Sequence, residues 1–288
     1  MRTFDGGIYK TPKEALKAVF GYDSFRPGQE SVINAVLEGR DILAVMPTGA
    51  GKSLCYQVPA MLLSGITLVI SPLISLMQDQ VKALNEAGVD AAFINISLSE
   101  KELNDTFKNA YKGHYKIIYV APERLMSEGF ISLAKSIEIS MITVDEAHCI
   151  SQWGQDFRPS YMDIAEFINI LGKRPIISAF TATATQNVRE DIICSLGLSD
   201  PYFLVTGFDR ENLFFQVDKP QNKDRFILDY IERHRGESGI IYCATRKNVD
   251  SLYTLLRKQH ISVAKYHAGM SNEERKQMQD DFVFDYTS

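Results

Sequence analysis

Short apolar segments alternate with amphipathic segments along most of the chain. The apolar segments lie at residues 41–47, 66–71, 90–96, 115–122, 139–147 and 174–183. Stretches with the three- and four-residue apolar spacing of helices separate them. Strands that are covered by helices on both faces are almost wholly apolar. The pattern therefore predicts an α/β fold with a parallel, doubly wound sheet.

Two helix starts are marked by capping residues. Thr11-Pro12-Lys13-Glu14 combines a threonine cap with proline at the first helical position, and we expect Gly21 to end that helix. Ser99 and Glu102 form a second capping box. A further helix is predicted from about 27 to 38.

The chain is predicted to contain two lobes. Residues 1–207 form the first lobe, residues 208–222 connect the lobes, and residues 223–288 form the second lobe. The second lobe has strand-like segments at 238–245 and 261–269, between helical segments. Two strands are few for an independent α/β domain, so we expect this lobe to be incomplete.

The composition is that of a globular protein, with 45% hydrophobic and 23% charged residues. Because the net charge is −5, any nucleic-acid binding must use a local basic surface. The four cysteines form no CxxC pair, so neither a zinc site nor a redox dithiol is expected. The sequence shows no signal peptide and no apolar run of about 20 residues, which predicts a cytoplasmic protein without membrane contact.

A glycine-rich loop follows the first apolar segment. Met46–Ser53 precedes a helical segment, which is the context of a phosphate-binding loop. Lys52 can reach the β- and γ-phosphates of a nucleotide, and Ser53 can bind Mg²⁺. Met46 stands where the full motif has its first glycine, and an incidental turn is the alternative interpretation. The predicted ATP-binding residues of this loop are Thr48, Gly49, Ala50, Gly51, Lys52 and Ser53.

Two carboxylates end a later apolar segment. Asp145 and Glu146 follow residues 141–144, at the end of a strand where open α/β sheets bind ligands. Asp145 is predicted to bind Mg²⁺, and Glu146 to orient and deprotonate the attacking water. A solvated acidic turn is the alternative, which the presence of the phosphate loop disfavours.

These motifs together resemble those of a known family. DEAH at 145–148, the phosphate loop and SAFTATAT at 178–185 resemble superfamily 2 helicases. FRPGQ at 25–29 and the aromatic-rich SQWGQDFRPSY at 151–161 are similar to RecQ DNA helicases. Further similar segments are ISPLISLMQDQ at 70–80, VAPERL at 120–125, IIYCATR at 240–246 and YHAGM at 266–270. The resemblance implies two RecA-like P-loop lobes, the second truncated, and an ATP-dependent 3′-to-5′ DNA helicase of repair and recombination.

The resemblance also implies roles for individual residues. Gln29 would hydrogen-bond the adenine of ATP, with Tyr22 stacked nearby and Arg26 supporting the pocket. A surface position on a helix is the alternative for Gln29. The predicted catalytic residues are Lys52, Asp145, Glu146 and His148, and the predicted coupling residues are Thr181 and Thr183. The alternatives are a packed core histidine for His148 and strand-end capping for the two threonines.

The predicted DNA contacts lie in the aromatic-rich loop and at neighbouring strand ends. Aromatic rings stack on unpaired bases without regard to sequence, and polar residues after strands can contact DNA phosphates. The loop follows Glu146 closely enough for a bound single strand to reposition that carboxylate. A hydrophobic cap over the sheet edge is the alternative for the loop. The predicted DNA-binding residues are Ser71, Arg124, Trp153, Phe157, Arg158 and Tyr161, with Thr245, Arg246 and His267 as candidates in the second lobe.

In motors of this class, an arginine stabilises the transferring phosphoryl group. The resemblance implies that it comes from a complete second lobe, and residues 223–288 contain no such arginine motif. We therefore expect the chain alone to bind ATP and to unwind DNA poorly. The alternatives are a module that binds ATP and single strands without helicase activity, and an RNA helicase or translocase.

Overall fold

The computed structural model describes residues 9–154, 156–207 and 212–283. The chain divides into two compact units, Met1–Arg210 and Glu211–Ser288. Residues 208–211 of the predicted connection lie outside the described residues, and the predicted lobe boundaries stay predictions. No helix of the described residues is long and apolar enough to cross a membrane.

The first unit alternates strands and helices, as the apolar pattern predicts. Its strands are β1 (Ile42–Val45), β2 (Ile66–Ile70), β3 (Ala91–Ile94), β4 (Ile117–Val120), β5 (Ile139–Val144), β6 (Ile176–Thr181) and β7 (Tyr202–Val205). Its helices are α1 (Pro12–Phe20), α2 (Gln29–Leu37), α3 (Leu54–Leu62), α4 (Ile74–Glu86), α5 (Glu100–Tyr111), α6 (Glu128–Ser136), α7 (Asp163–Asn169) and α8 (Gln186–Leu196). The strands form one parallel sheet in the order β3-β4-β2-β5-β6-β1-β7. The predicted doubly wound sheet is confirmed.

Each face of this sheet has its own hydrophobic core, because successive strand residues point to opposite faces. Leu43 and Leu68 belong to a buried cluster with residues of α5, α6, α7 and α8. Ile42 and Ala44 belong to a second cluster with residues of α2, α3 and α4. Since both faces are covered, the carboxyl edge of the sheet is where loops can hold functional side chains.

The capping residues act as predicted. Thr11 accepts a hydrogen bond from the Glu14 backbone and starts α1, and Gly21 ends that helix in the left-handed conformation. Ser99 and Glu102 form a complete capping box at α5. The helix predicted from about 27 to 38 is shorter, because Gly28 is its left-handed cap.

One buried carboxylate joins three strands at the amino edge of the sheet. Asp41 directly precedes β1 and is almost fully buried. It accepts from Arg174 at 2.6 and 3.1 Å, from the Ile177 backbone at 2.9 Å and from the Ser199 backbone at 2.8 Å. A buried charge is tolerated when it is paired and hydrogen-bonded. These contacts fix the starts of β1, β6 and β7 relative to one another.

The second unit contains α9 (Lys223–Arg233), α10 (Arg246–Lys258) and α11 (Asn272–Val283). Within residues 212–283 the structure describes no strand, so the strands predicted at 238–245 and 261–269 are wrong as regular elements. Tyr242 in the first of these segments is 92% exposed. Apolar alternation makes a strand only when neighbouring strands supply hydrogen bonds and a face to pack against.

Candidate functional site

The glycine-rich loop connects β1 to α3. Gly49 and Gly51 have φ values of 82° and 79°, in the left-handed region that favours glycine. A Cβ at Gly51 would also clash with Nε2 of Gln29. Lys52 folds back over the loop, and its Nζ donates to the Met46 carbonyl at 3.3 Å. The ammonium group and the amino terminus of α3 thus lie together at the carboxyl edge, as phosphate binding requires.

Two of the three residues predicted to bind the adenine contact this loop. Gln29 is 1% exposed, and its Nε2 donates to two loop carbonyls at 2.9 and 3.3 Å. Its Oε1 accepts from the Arg26 backbone at 2.8 Å, while Arg26 donates through Nη1 to the Gly49 carbonyl. Tyr22 is exposed. The Gln29 side chain is buried and its amide is hydrogen-bonded within the protein, so its contact with adenine stays a prediction.

Asp145 directly follows β5 and is buried. Burial, followed by the charge of Glu146, raises its pKa to about 6, against the opposing effects of the Glu146 N–H and of Lys52. Its Oδ1 accepts from the Glu146 backbone at 3.0 Å. Ser53 precedes α3 and does not use its hydroxyl to cap the helix. A carboxylate and a hydroxyl fit Mg²⁺, which in nucleotide sites completes its coordination with phosphates and water. Among the described residues, no group of three or more His, Cys, Asp and Glu could hold a metal alone.

A chain of polar contacts leads from Glu146 to β6. Oε2 of Glu146 lies 3.4 Å from Nδ1 of His148, and the same Nδ1 lies 2.9 Å from Oγ1 of Thr181. Thr181 donates its hydroxyl to the Thr183 carbonyl at 3.0 Å. The hydroxyl therefore accepts from the histidine, which places a proton on Nδ1. Two of the predicted catalytic residues, Glu146 and His148, are thus connected to the predicted coupling residues Thr181 and Thr183.

Two aromatic residues of the predicted DNA-binding loop lie on the surface. Trp153 is 77% exposed and Phe157 is 36% exposed, so their rings are accessible to a base. Arg158 donates through Nε and Nη2 to Asp156 at 3.1 and 2.9 Å. Its Nη1 reaches the Pro72 carbonyl at 3.4 Å, in the loop after β2. The arginine thus holds the aromatic loop beside a second loop of the carboxyl edge.

Tyr161 does not belong to that surface, so its prediction as a DNA-stacking ring is wrong. The short 3-10 helix Pro159–Met162 turns the ring into the core, where it is fully buried in the cluster that contains Phe167. Its hydroxyl donates to the Asp145 carbonyl at 2.9 Å. Tyr161 therefore positions the backbone of the predicted magnesium ligand.

Buried polar atoms mark the part of the carboxyl edge beyond β5. Ser71 follows β2 and Arg124 follows β4. Oγ of Ser71 and Nε of Arg124 are buried and, in the part of the chain that the structure describes, have no hydrogen-bond partner. Nδ2 of Asn95, after β3, shares this property. Asn95 was not predicted, although a polar residue directly after an apolar strand was an available signal. Buried donors without partners are costly, so such atoms favour a ligand at this edge.

Two of the three candidates in the second unit, Thr245 and His267, have local partners. Thr245 accepts from the Asn248 backbone at 3.2 Å and caps α10, whose first residue is Arg246. Nε2 of His267 lies 3.4 Å from Oδ1 of Asp250. Contacts of these residues with DNA stay predictions.

Solved helicase structures share the fold. The DUF1998 helicase MrfA bound to DNA matches with a TM-score of 0.71 at 18% identity, over 98% of this chain and 43% of that chain. The Mycobacterium smegmatis helicase Lhr bound to ssDNA and AMP-PNP matches with a TM-score of 0.71 at 17% identity, over 96% of this chain and 40% of that chain. These matches confirm the predicted RecA-like α/β fold.

Sequence comparisons identify the family. The DEAD/DEAH box helicase model matches residues 26–191, and the helicase conserved C-terminal domain model matches residues 222–286. The ATP-dependent DNA helicase RecQ of Bacillus subtilis (strain 168) is 48% identical over 271 residues, which are 94% of this chain and 46% of the relative. The RecQ of Haemophilus influenzae is 43% identical over 275 residues, 96% of this chain and 44% of the relative.

A relative with a different name also matches. The putative ATP-dependent RNA helicase R290 of Acanthamoeba polyphaga mimivirus is 40% identical over 278 residues, 96% of this chain and 50% of the relative. The chain thus spans about half the length of the curated relatives it matches. From the matching family model and these identities, the chain belongs to the DEAD/DEAH box helicase family and, within it, to the RecQ family of superfamily 2.

Proposed function

We propose that this chain supplies the ATP-binding motor region of a DNA helicase of the RecQ type. The intact protein would move 3′ to 5′ on single-stranded DNA and separate duplexes in repair and recombination, in the cytoplasm. The observation that carries this proposal is the turn Asp145–Glu146. On one side it interacts with Lys52 of the phosphate loop. On the other side it is held by Tyr161, at the end of the loop that exposes Trp153.

The nucleotide would bind at the carboxyl ends of β1 and β5. Lys52 would bind the β- and γ-phosphates of ATP, and Ser53 with Asp145 would hold Mg²⁺. The ion would neutralise charge on the phosphates. Because the pKa of Asp145 is raised to about 6, the carboxylate is mainly ionised at neutral pH and can bind a cation.

Hydrolysis would use Glu146 as the base. Its carboxylate would orient the attacking water and accept a proton from it. The Nδ1–H of His148 lies between Oε2 of Glu146 and the Thr181 hydroxyl. A shift of β6 or of the following Thr183 segment would therefore change the direction in which the Glu146 carboxylate points.

Single-stranded DNA would bind along the carboxyl edge beyond β5. Trp153 and Phe157 would stack on unpaired bases, a contact worth about 1–3 kcal/mol per base and insensitive to sequence. Oγ of Ser71 and Nε of Arg124 would donate to backbone phosphates once DNA binding displaces the groups that cover them, which would give these buried atoms their partners. Such a site needs no large positive charge on the whole chain, whose net charge is −5.

The activities differ in how much of the protein they need. ATP binding uses residues of the first unit, so we propose it for this chain alone. Strand separation is proposed for the intact protein, and we expect the chain by itself to unwind poorly. RNA as the nucleic acid is the second candidate, since one relative is named a putative RNA helicase.

The test compares ATP hydrolysis by the intact protein alone, with single-stranded DNA and with RNA of the same sequence. We expect DNA to stimulate hydrolysis strongly and RNA weakly. Glu146→Gln should still bind a fluorescent ATP analogue but hydrolyse ATP about 10²–10⁴-fold more slowly. Glu86→Gln changes an exposed glutamate at the end of α4 and is the matched control. Normal turnover by Glu146→Gln would refute the role of Glu146, and equal stimulation by RNA would support the second candidate.

A further inference from the structure

A single hydroxyl group joins the aromatic loop to α8. Ser151 is almost fully buried, and its Oγ donates to Oδ2 of Asp191 at 2.6 Å. The same Oγ accepts from the backbone N–H of Trp153 at 3.2 Å. A hydroxyl that donates to a carboxylate makes a short and strong hydrogen bond. The backbone that carries the exposed Trp153 ring is thereby tied to the carboxylate of Asp191.

Helix α8 faces this loop because of the apolar residues around Asp191. Val188 and Ile192 belong to the buried cluster that also contains Cys149 and Ile150. Positions 188, 191 and 192 share one face of a helix, because residues three and four apart are neighbours. The apolar contacts therefore point Asp191 towards the loop.

The short 3-10 helix Ala147–Ile150 is consequently tied at both ends to one continuous segment. At its start, Nδ1 of His148 lies 2.9 Å from Oγ1 of Thr181, at the end of β6. Just beyond its end, Ser151 is bound to Asp191. Thr181 is the last residue of β6 and Asp191 lies in α8, and the two are joined by the short connection in which Thr185 caps α8. The loop cannot move away from this connection without breaking one of the two contacts.

We propose that Asp191 is a positioning residue, which makes α8 and the Thr181–Thr183 segment follow the aromatic loop when a single strand displaces it. This inference rests on the proposed function. With the Ser151–Asp191 contact intact, a displacement of Trp153 moves α8 and the Thr181–Thr183 segment together with the loop. The movement then changes the position of Glu146 through His148. Without the Ser151–Asp191 contact, the aromatic loop moves while α8 and the Thr181–Thr183 segment stay in place. DNA then binds, but it does not stimulate hydrolysis.

The test measures the ATPase of the intact protein with and without single-stranded DNA, for Asp191→Ala, Asp191→Asn and Ser151→Ala. For Asp191→Ala we expect the factor of DNA stimulation to fall by about fivefold or more, the size of a typical coupling between sites. Basal turnover, the KM for ATP and the Kd for a fluorescent single strand should change by less than about twofold. Asp191→Asn keeps an oxygen that accepts from Ser151, so it should restore most of the stimulation.

A matched control and a double variant separate coupling from general damage. Glu190→Ala removes the neighbouring exposed carboxylate, which contacts Gln186 on α8, and should leave DNA stimulation unchanged. Ser151→Ala combined with Asp191→Ala should lower stimulation no further than Ser151→Ala alone, because Ser151→Ala already removes the contact with Asp191 together with the acceptor of the Trp153 N–H. Additive losses, full stimulation in Asp191→Ala, or an equal loss of basal turnover would overturn the role of Asp191. Absence of stimulation in the unaltered protein would instead overturn the proposed function itself, and this inference with it.

Discussion

Removing one oxygen from Tyr161 tests how the aromatic loop acts on the catalytic turn. The ring is fully buried, and its hydroxyl donates to the Asp145 carbonyl at 2.9 Å. Tyr161→Phe keeps the ring and its packing and removes only the donor. A stacking role, which the sequence predicted, would survive this change, whereas a positioning role would not.

The size of the effect follows from the buried carbonyl. Leaving a buried acceptor without its donor costs about 1–3 kcal/mol. For a unit of about 200 residues, each kcal/mol lowers the unfolding midpoint by about 2–4 °C. We therefore expect the midpoint of Tyr161→Phe to fall by about 2–12 °C.

Tyr161→Phe should also impair ATP hydrolysis. The backbone of Asp145 also carries the predicted magnesium ligand and precedes Glu146, so we expect a lower kcat and a higher Mg²⁺ concentration for half-maximal hydrolysis. The assay is a Mg²⁺ titration of the ATPase at saturating ATP, with thermal unfolding of the same samples. Tyr111→Phe, which removes the hydroxyl of an exposed tyrosine in α5, is the control and should leave both measurements unchanged. An unaltered midpoint together with an unaltered Mg²⁺ titration in Tyr161→Phe would refute the positioning role.

Two further predictions concern charge and exposure. The pKa of Asp145 is raised to about 6, so ionisation of this carboxyl destabilises the folded state. The loss of stability begins as the pH rises above about 4 and is complete above about 6. Asp145→Asn should therefore raise the free energy of unfolding by about 3 kcal/mol at neutral pH without metal, and the difference should vanish near pH 4. The same change should abolish Mg²⁺-dependent turnover. Urea unfolding at both pH values in the presence of a chelator measures the change in stability, and a destabilised variant would contradict the prediction. Trp153→Ala should leave the unfolding midpoint and ATP binding unchanged, since the ring is 77% exposed, and should weaken single-strand binding by about 1–3 kcal/mol. Fluorescence anisotropy with a labelled single strand measures this affinity. An unchanged affinity would show that the bases do not stack on Trp153.

The sheet and its capped helices could be predicted because their signals are local. Six apolar segments became β1 to β6, and Thr11 and Ser99 start helices as their spacing indicates. β7 was missed because its apolar run, Tyr202–Val205, has only four residues, and so short a run does not identify a strand. It is an edge strand, and its residues alternate between half-buried and exposed. The opposite error occurred in the second unit, where apolar segments such as 238–245 have no strand beside them among the described residues.

The site could be predicted to the extent that its residues lie close together in sequence. The phosphate loop and the Asp145–Glu146 turn are short motifs. The structure brings them to the same carboxyl edge, after β1 and β5, which are separated by β6. Burial of Tyr161 depends on how the 3-10 helix packs against the core, which aromatic composition does not reveal. The contact between Ser151 and Asp191 spans 40 residues of sequence and has no local signal.

The backbone of Glu146 has a consequence for how this sequence can change. The residue has φ 48° and ψ 45°, a left-handed conformation that costs a residue with a Cβ about 1–2 kcal/mol relative to glycine. Glycine there would make the fold more stable and would remove the proposed base. Selection for stability and selection for hydrolysis therefore oppose each other at this position. A laboratory screen for thermal resistance alone should therefore select variants that bind the nucleotide and do not hydrolyse it.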